Sequence, residues 1–500
     1  VDFDIQFKVR DNYQPDSVTN PEKRPGGSMF QTFDDSAAFI RDNKIEMVDL
    51  KFSDLWGRWH HVTLSAEEFS PRTLTSGVGF DGSSVGLKSV KSGDMALIPD
   101  LSTGFVDPFW EAPTMSFICS AVEADTKKLF TRDPRVILHR AEEYLKHTGI
   151  ADRSVWGPEL EFYIFDNVII ENGCQTANYR VDSNEANWNS GQPGHGHYIP
   201  MHGGYHANPP RDQTYALRTE MVRLLQRCGV PVKYHHHEVG GPGQCEIETP
   251  MMGSMKSADG AMLIKYIAKM VAHQAGKSAT FLPKPLFGEA GSGMHFHQQL
   301  FKNEVNVFYD ATDRNLLSKT ALYYIGGLLT HAPAVLALTN PSTNSYRRLV
   351  PGYEAPINAF FSSGNRSAAI RVPRYATEPD EVRFEFRPPD ATCNPYIAMA
   401  AMLLAGLDGI KNQIDPTVAG FGPIDVNIFT LSEEERSHIK QLPTSLGEAL
   451  IALKNDHSFL LEGDVFSEEM LLDWIKTKSR EERDLQLRPH PYEIEMYYDL

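Results

Sequence analysis

Apolar and polar residues alternate at the start of the chain, with Val1, Phe3, Ile5, Phe7 and Val9 separated by polar positions, until Pro15, Pro21, Pro25, Gly26 and Gly27 break the pattern. Period-two alternation reads as a short strand, and a PGGS linker ahead of Met29 reads equally as the end of an appended tail, so residues 1–28 are set apart as an extension or tail. From Met29 to Asp133 short strand-like runs prevail: Ile45 to Phe52, a turn at Trp56-Gly57, then His60 to Leu64. Asp133-Pro134 puts an N-cap before a proline at the first helical position, and Arg135 to Gly149 continues at helical spacing. The pattern therefore divides the chain into a small β-rich unit, residues 29–133, and one large α+β unit, residues 134–500. In the latter, helices such as Thr214 to Gly229 and Ala258 to Gly276 alternate with strands rich in Glu, His and Arg. Ile397 to Leu407 is the longest apolar run, too short to span a membrane, and is expected to be a buried core helix.

Composition narrows the partners. The 500 residues carry 48 Lys and Arg against 65 Asp and Glu, a formal charge of -17, with 41% hydrophobic and 23% charged residues. Length alone suggests about two to four domains with ample core, and the balance excludes disordered, collagenous and coiled-coil chains. A carboxylate excess disfavours nucleic acid or an anionic membrane as main partner, leaving small molecules and other subunits. The five cysteines, Cys119, Cys174, Cys228, Cys245 and Cys393, are far apart and form no C-x-x-C pair, which fits a reducing, cytoplasmic compartment. The first residues hold neither a basic nor an apolar signal region, so no secretion signal is expected there.

Three partial motifs mislead. Ala275 to Ser278 (AGKS) looks like the end of a phosphate loop, but the first glycine such a loop needs falls at Val271 in a helical pattern. Gly82-Ser83-Ser84-Val85-Gly86 fits a hydrolase nucleophile elbow, which needs a buried strand before it, whereas Thr75 to Asp81 looks loop-like. His235-His236-His237-Glu238 invites zinc. On a strand, however, His235 and His237 face away from His236 and Glu238.

The chemistry is carried by strand-like segments with charged residues two apart, hence on one face. Glu159 and Glu161 are one such pair, and Lys233 to Val239 adds Glu238. Gln244 to Thr249 adds Glu246 and Glu248, Met294 to His297 pairs two histidines, and Arg383, Glu385 and Arg387 share a face backed by Phe384 and Phe386. Any one of these alone reads as a solvated face with surface ion pairs. Five together read otherwise, because carboxylates crowded on one face repel unless a cation sits among them. Carboxylate-dominated ligation with an imidazole suits Mg²⁺ or Mn²⁺ better than Zn²⁺, and points to a two-metal centre handling phosphates. Arg347, Arg348, Arg366, Arg371 and Arg374 supply fixed positive charge in a stretch low in acidic residues.

The residues GVGFDGSSV (from Gly77), GPELEF (from Gly157), VDSNEANWNSG (from Val181), HHHEVGGPGQCEIE (from His235) and KPLFGEAGSGMHFH (from Lys284) occur here in that order. NPSTNSYRRLVPGYEAP (from Asn340), NRSAAIRVP (from Asn365), FEFRPPDATCNPYIAMAAMLLAGLDGI (from Phe384) and the ending PHPYEIEMYYDL follow. From about Met29 to Leu500 the chain resembles a bacterial-type (type I) glutamine synthetase. The resemblance implies an α+β fold: a β-grasp-like N-terminal domain and a large catalytic domain on a curved antiparallel sheet flanked by helices. It implies ATP-dependent ligation of ammonium to the γ-carboxylate of L-glutamate through γ-glutamyl phosphate, giving L-glutamine, ADP and phosphate. A related ligase using a larger amine is the alternative. It also implies a dodecamer of two hexameric rings with shared active sites, tied through the segment at Tyr497 and Tyr498.

Residue by residue, the resemblance implies Glu161, Glu238 and Glu246 on one Mg²⁺ or Mn²⁺ ion and Glu159, His295 and Glu385 on another. It places His297, Gln299, Arg366, Arg371 and Arg383 at ATP, and Gly291, Arg348, Glu354, Arg366 and Arg387 at glutamate. Ammonium would meet Asp81, Ser84, Tyr205 and Glu238, with Asp81, Glu354 and Arg366 as catalytic groups and Glu354 on a flap. Retention of Asp81, Ser84, Tyr205 and Arg366 favours ammonium over a bulkier amine. Departures from the family pattern are Ala290 for Asn, Gln299 for Ser, Asp380 for Lys, and Leu87 near an aromatic position. Phe429 occupies the position of the tyrosine that regulated members adenylylate, so no such control is expected.

Overall fold

The computed structural model describes residues 30–88, 93–189, 196–352, 355–426, 432, 434 and 438–500. The strand-or-tail question at residues 1–28, the flap residue Glu354 and the position of Phe429 lie outside them.

Near the N-terminus five strands, β1 (Met47–Ser53), β2 (Trp59–Ser65), β3 (Val78–Asp81), β4 (Asp94–Val106) and β5 (Thr114–Glu123), form a sheet of order β2-β1-β5-β4-β3. β1 and β5 run parallel, and their apolar residues, Met47 apart, are buried because both strands are internal. Helix α1 (Phe33–Asp42) starts on a Thr32–Asp35 capping box. The turn between β1 and β2 is fixed by Asp54, whose Oδ1 accepts from the amides of Trp56 and Arg58, both at 2.9 Å. Gly57 adopts φ +79° there.

One expectation fails in this region. The segment around Gly77 is not a loop: Val78–Asp81 is an edge strand pairing antiparallel with β4. The cause is a period-two apolar pattern hidden between glycines, since Phe80 packs on Phe52 at 4.8 Å between ring centroids. A turn follows rather than a helix, so no nucleophile elbow forms.

Beyond the short helix α2 (Pro71–Thr75), α3 (Pro134–Thr148) opens the large unit with Asp133 as its N-cap, as the Asp-Pro signal predicts. The strands are β6 (Arg153–Phe165), β7 (Asn167–Asn172), β8 (Ala177–Asp182), β9 (Tyr234–His237), β10 (Gln244–Glu248) and β11 (Met252–Gly253). They continue as β12 (Ser278–Thr280), β13 (Met294–Lys302), β14 (Val305–Asn306), β15 (Asn358–Ser362), β16 (Ala368–Arg371) and β17 (Phe384–Phe386). The path β15-β16-β17-β13-β6-β10-β9 makes the sheet, antiparallel except for β15 and β16. β7 and β8 form a separate exposed hairpin.

Helices α4 (Tyr215–Arg227), α5 (Ser254–Gln274), α6 (Lys319–Thr339), α7 (Ser345–Arg348) and α8 (Pro395–Lys411) accompany this sheet. The run Ile397 to Leu407 is buried inside α8, as its composition predicts. α6 is apolar and long enough to cross a membrane, yet is largely buried against α8 and the helix Leu446–Asn455. α6 and α8 approach closely at paired glycines: a Cβ on Gly327 would come 2.5 Å from the Cα of Gly409.

The two units share one core and a buried charge cluster. Arg135 on α3 donates to both oxygens of Asp259 on α5, at 3.0 and 2.9 Å, and to Asp100 on β4 at 2.7 Å. Tyr396 at the start of α8 donates to the same Asp259 at 2.6 Å. Removing Asp259 leaves Arg135 with Asp100 alone and the buried Tyr396 hydroxyl unpaired, so Asp259→Ala is expected to cost about 1.5–3 kcal/mol, read as a lower urea midpoint. An unchanged midpoint would show that the contacts of Asp259 with Arg135 and Tyr396 contribute nothing to stability.

Candidate active site

Register places the predicted residues in three rows across one face of the large sheet. In the first, Glu246 of β10 lies opposite Glu161 of β6 on one side and His236 of β9 on the other. In the second, Glu159 of β6 lies between Glu248 of β10 and His295 of β13. In the third, Glu385 of β17 lies between His297 of β13 and Arg371 of β16. Directly opposed residues sit about 5 Å apart at Cβ, so this register sets Glu against Glu twice.

Close distances tie the rows together. Glu159 meets His297 Nε2 through Oε1 at 2.8 Å and His295 Nδ1 through Oε2 at 3.0 Å. His297 Nε2 is 3.3 Å from Glu385, and His295 Nε2 is 3.8 Å from Glu161. Glu161 accepts from the Gly293 amide at 2.8 Å. Ligand atoms of Glu159, His297 and Glu385 fall within 4.8 Å of one another, as do those of His236, Glu238 and Glu246. His295 bridges Glu159 and Glu161 beside these two groups. His236 shares its parity with Glu238 and faces the carboxylates, so of the three adjacent histidines it is the one that joins the cluster. Its neighbours are used elsewhere: His235 accepts from Arg218 of α4 at 3.2 Å, and His237 meets Glu185 at 3.1 Å.

Electrostatics divides the cluster. Burial and the neighbouring Glu161 and Glu246 push Glu238 up to about 8. Burial, with Glu159, Glu161 and Glu385 nearby, raises Glu246 well above the carboxylate range. Burial would also raise Glu385, but Arg387, His297 and Arg371 outweigh it and hold Glu385 low. Among the described residues no lysine or arginine pairs with Glu238 or Glu246, and only the His236 ring approaches them, at 3.8 and 3.4 Å. Oxygen donors with imidazole, crowded and short of positive charge, fit a hard or borderline divalent cation.

The arginines lie at the other end. Arg387 donates to Glu385 at 2.6 Å, Arg371 does so at 3.2 Å, and Arg383 donates to His297 Nδ1 at 3.3 Å. Arg348 is buried and donates to the carbonyl of Pro388 at 2.8 Å. Gly291 lies against it: a Cβ there would come 2.7 Å from Arg348 Cγ. Arg366 sits on the turn between β15 and β16, where its carbonyl accepts from Arg387 at 3.1 Å. Gln299 and Asp380, both departures from the family pattern, meet: the Gln299 amide donates to the Asp380 carbonyl at 2.7 Å and to that of Val382 at 3.1 Å. At Ala290 the backbone carbonyl accepts from Tyr163 at 2.6 Å.

Tyr205 is exposed beside the first row, its ring 5.6 Å from that of His236. Asp81 ends β3 and Ser84 lies on the turn that follows, where Ser84 donates to Asp81 at 2.6 Å and Ser83 donates to it through Oγ at 2.7 Å. Among the described residues, the side-chain hydrogen bonds of Asp81 and Ser84 stay within this segment.

The family model described as glutamine synthetase, catalytic domain, matches residues 131–497, and that described as glutamine synthetase, beta-Grasp domain, matches residues 44–124. A glutamine synthetase of Nostoc sp. (strain PCC 7120 / SAG 25.82 / UTEX 2576) is 48% identical over 470 residues, 92% of this chain and 98% of that protein. One of Frankia alni is 47% identical over 478 residues, covering 94% of this chain and 100% of the relative. Among solved structures, a Plasmodium falciparum glutamine synthetase determined by cryoEM superposes with a TM-score of 0.84 at 29% identity, over 94% of this chain and 99% of the other. A GmaS/ADP complex gives 0.77 at 26% identity, over 93% and 99%.

The raised carboxylates make cation binding proton-linked. At pH 7 Glu238, with a pKa of about 8, is largely protonated, and a divalent ion must displace that proton. Titrating Mn²⁺ calorimetrically at pH 7 in buffers of different ionisation enthalpy is expected to show about one proton or more released per site, fewer above pH 8. Glu238→Gln should lower that number. Equal heats in all buffers would contradict the assignment.

Proposed function

The chain belongs to the glutamine synthetase family, and from that premise we propose that it joins ammonium to the γ-carboxylate of L-glutamate with ATP, through γ-glutamyl phosphate, giving L-glutamine, ADP and phosphate. The observation that carries the residue-level reading is the set of three rows, carboxylates and histidines in register with arginines at one edge.

The family depends on ATP and divalent metal. Here Glu161, Glu238 and Glu246, joined by His236, would hold one Mg²⁺ or Mn²⁺ ion, and Glu159, His295 and Glu385 would hold the other. Such ions supply Lewis-acid polarisation of phosphoryl oxygens. A carboxylate is a poor electrophile and must first be phosphorylated. Arg366, Arg371 and Arg383 offset the charge that builds on the transferred group, with His297 and Gln299 on the nucleotide side. Arg348, Arg387, Arg366 and the backbone at Gly291 orient glutamate. Water would hydrolyse the acyl phosphate, which gives the flap that the resemblance assigns to Glu354 its purpose.

Ammonium attacks only after losing a proton. Asp81 takes that proton, with Ser84, Tyr205 and Glu238 holding the ion. Hydrogen bonds from Ser84 and Ser83 lower the pKa of Asp81 and keep it ionised as an acceptor. The exposure of the Asp81 turn supports delivery into a neighbouring subunit's site, as a dodecamer of two hexameric rings requires. The C-terminal helix Pro491–Tyr497, with Tyr492, Ile494, Tyr497 and Tyr498 exposed, supports the same assembly. All five cysteines are free, in keeping with a cytoplasmic enzyme.

The test is phosphate release from ATP with glutamate, Mg²⁺ or Mn²⁺, and either ammonium or a panel of primary amines. Saturable turnover with ammonium is expected, with the amines poor substrates. Glu159→Ala or Glu385→Ala should each lower turnover by about 100-fold or more. No turnover with ammonium overturns the reaction, turnover only with amines favours the larger-amine ligase, and activity surviving both substitutions overturns the metal assignment.

A further inference from the structure

Behind the first row, on the face of β9 opposite to His236 and Glu238, the fully buried ring of His237 joins the segments that carry two of the proposed ammonium contacts. Its Nδ1 is 2.7 Å from the backbone carbonyl of Glu238, and its Nε2 is 3.1 Å from the carboxylate of Glu185. Both partners are acceptors, so the ring donates from both nitrogens, and the buried Glu185 balances it. The other oxygen of Glu185 accepts from the Gln213 amide at 2.6 Å, and its backbone carbonyl accepts from Ile199 at 2.8 Å, so this carboxylate is anchored independently of β9.

The loop bearing Tyr205 lies on the same ring. Gly204 donates to the Val239 carbonyl at 3.0 Å, and His206 donates to that of His237 at 3.0 Å, which clips Tyr205 to the end of β9 from both sides. A side chain at Gly204 would run into the Glu238 carbonyl oxygen and the His237 ring, so the loop reaches this position only with glycine there.

We infer that Glu185 and His237 are positioning residues that fix Glu238 and the Tyr205 loop as one unit and so set the enzyme's affinity for ammonium. Neither residue touches substrate. They act through the backbone carbonyl of Glu238 and through Gly204, as outer partners orient the groups that do touch ligand. The inference rests on the reading that Glu238 and Tyr205 meet ammonium.

Steady-state assays on the full-length enzyme test it, with ammonium and glutamate each varied at saturating levels of the other substrates. Glu185→Gln keeps the shape and removes the charge, whereas Gly204→Ala crowds the loop from the opposite side. Each is expected to raise KM for ammonium about tenfold or more while KM for glutamate stays within about twofold. If the first variant is poorly folded by thermal melting, the second carries the test alone. An unchanged ammonium KM in a folded variant, or parallel loss of affinity for ammonium and glutamate, overturns the positioning role. Wild-type enzyme without ammonium-dependent turnover would instead overturn the reading beneath it, and this inference with it.

Discussion

Like-charged carboxylates facing each other in register across β6 and β10 are the constraint around which the rest of the large unit is arranged. Glu246 against Glu161 and Glu248 against Glu159 would destabilise an ordinary antiparallel pair, and here both pairs are buried. The protein offsets part of this repulsion itself. Lys233 meets Glu248 at 2.7 Å, the Gly293 amide meets Glu161, two histidines meet Glu159, and two arginines meet Glu385. What remains uncompensated is the Glu238 and Glu246 end, whose raised pKa values mark the place for a cation.

The scaffold explains how so strained a face is tolerated. The opposite side of the same strands is largely apolar, with Leu160, Phe162, Ile247, Phe296, Phe384 and Phe386 in the core and the buried Gln298 accepting from Tyr324 at 2.9 Å. Behind them α8 and α6 are buried along most of their length and meet at glycines. Burial on that side supplies the stability that charge crowding costs on the other. The N-terminal sheet is tied to this body through Arg135, Asp259 and Asp100, and its Asp81 edge is exposed.

Parity made much of the site legible in the sequence. Glu159 with Glu161, His295 with His297, and Glu385 between two arginines could each be placed on one face from spacing alone, and all share the face of one sheet. Which strands would be neighbours was not legible, because pairing β6 with both β10 and β13 depends on contacts far apart in the chain. Hence His297 lies beside Glu159 and Glu385 as closely as His295 lies beside Glu159, a proximity that spacing does not reveal. Val78–Asp81 was missed because its glycines masked a two-residue apolar alternation. The three histidines from His235 show both sides of the matter. Their alternation was evident, but their partners Arg218, Glu185 and Glu246 come from three separate segments.

The central claim is that this buried carboxylate face is built to hold divalent cations. Anomalous diffraction from crystals of the full-length enzyme grown with Mn²⁺ tests it most directly. The account predicts two peaks on the face of β6, β10 and β13, one within about 2.5 Å of Glu238 and Glu246 oxygens and one equally near Glu159 and Glu385. A fully ordered face with no anomalous peak at either place would contradict it.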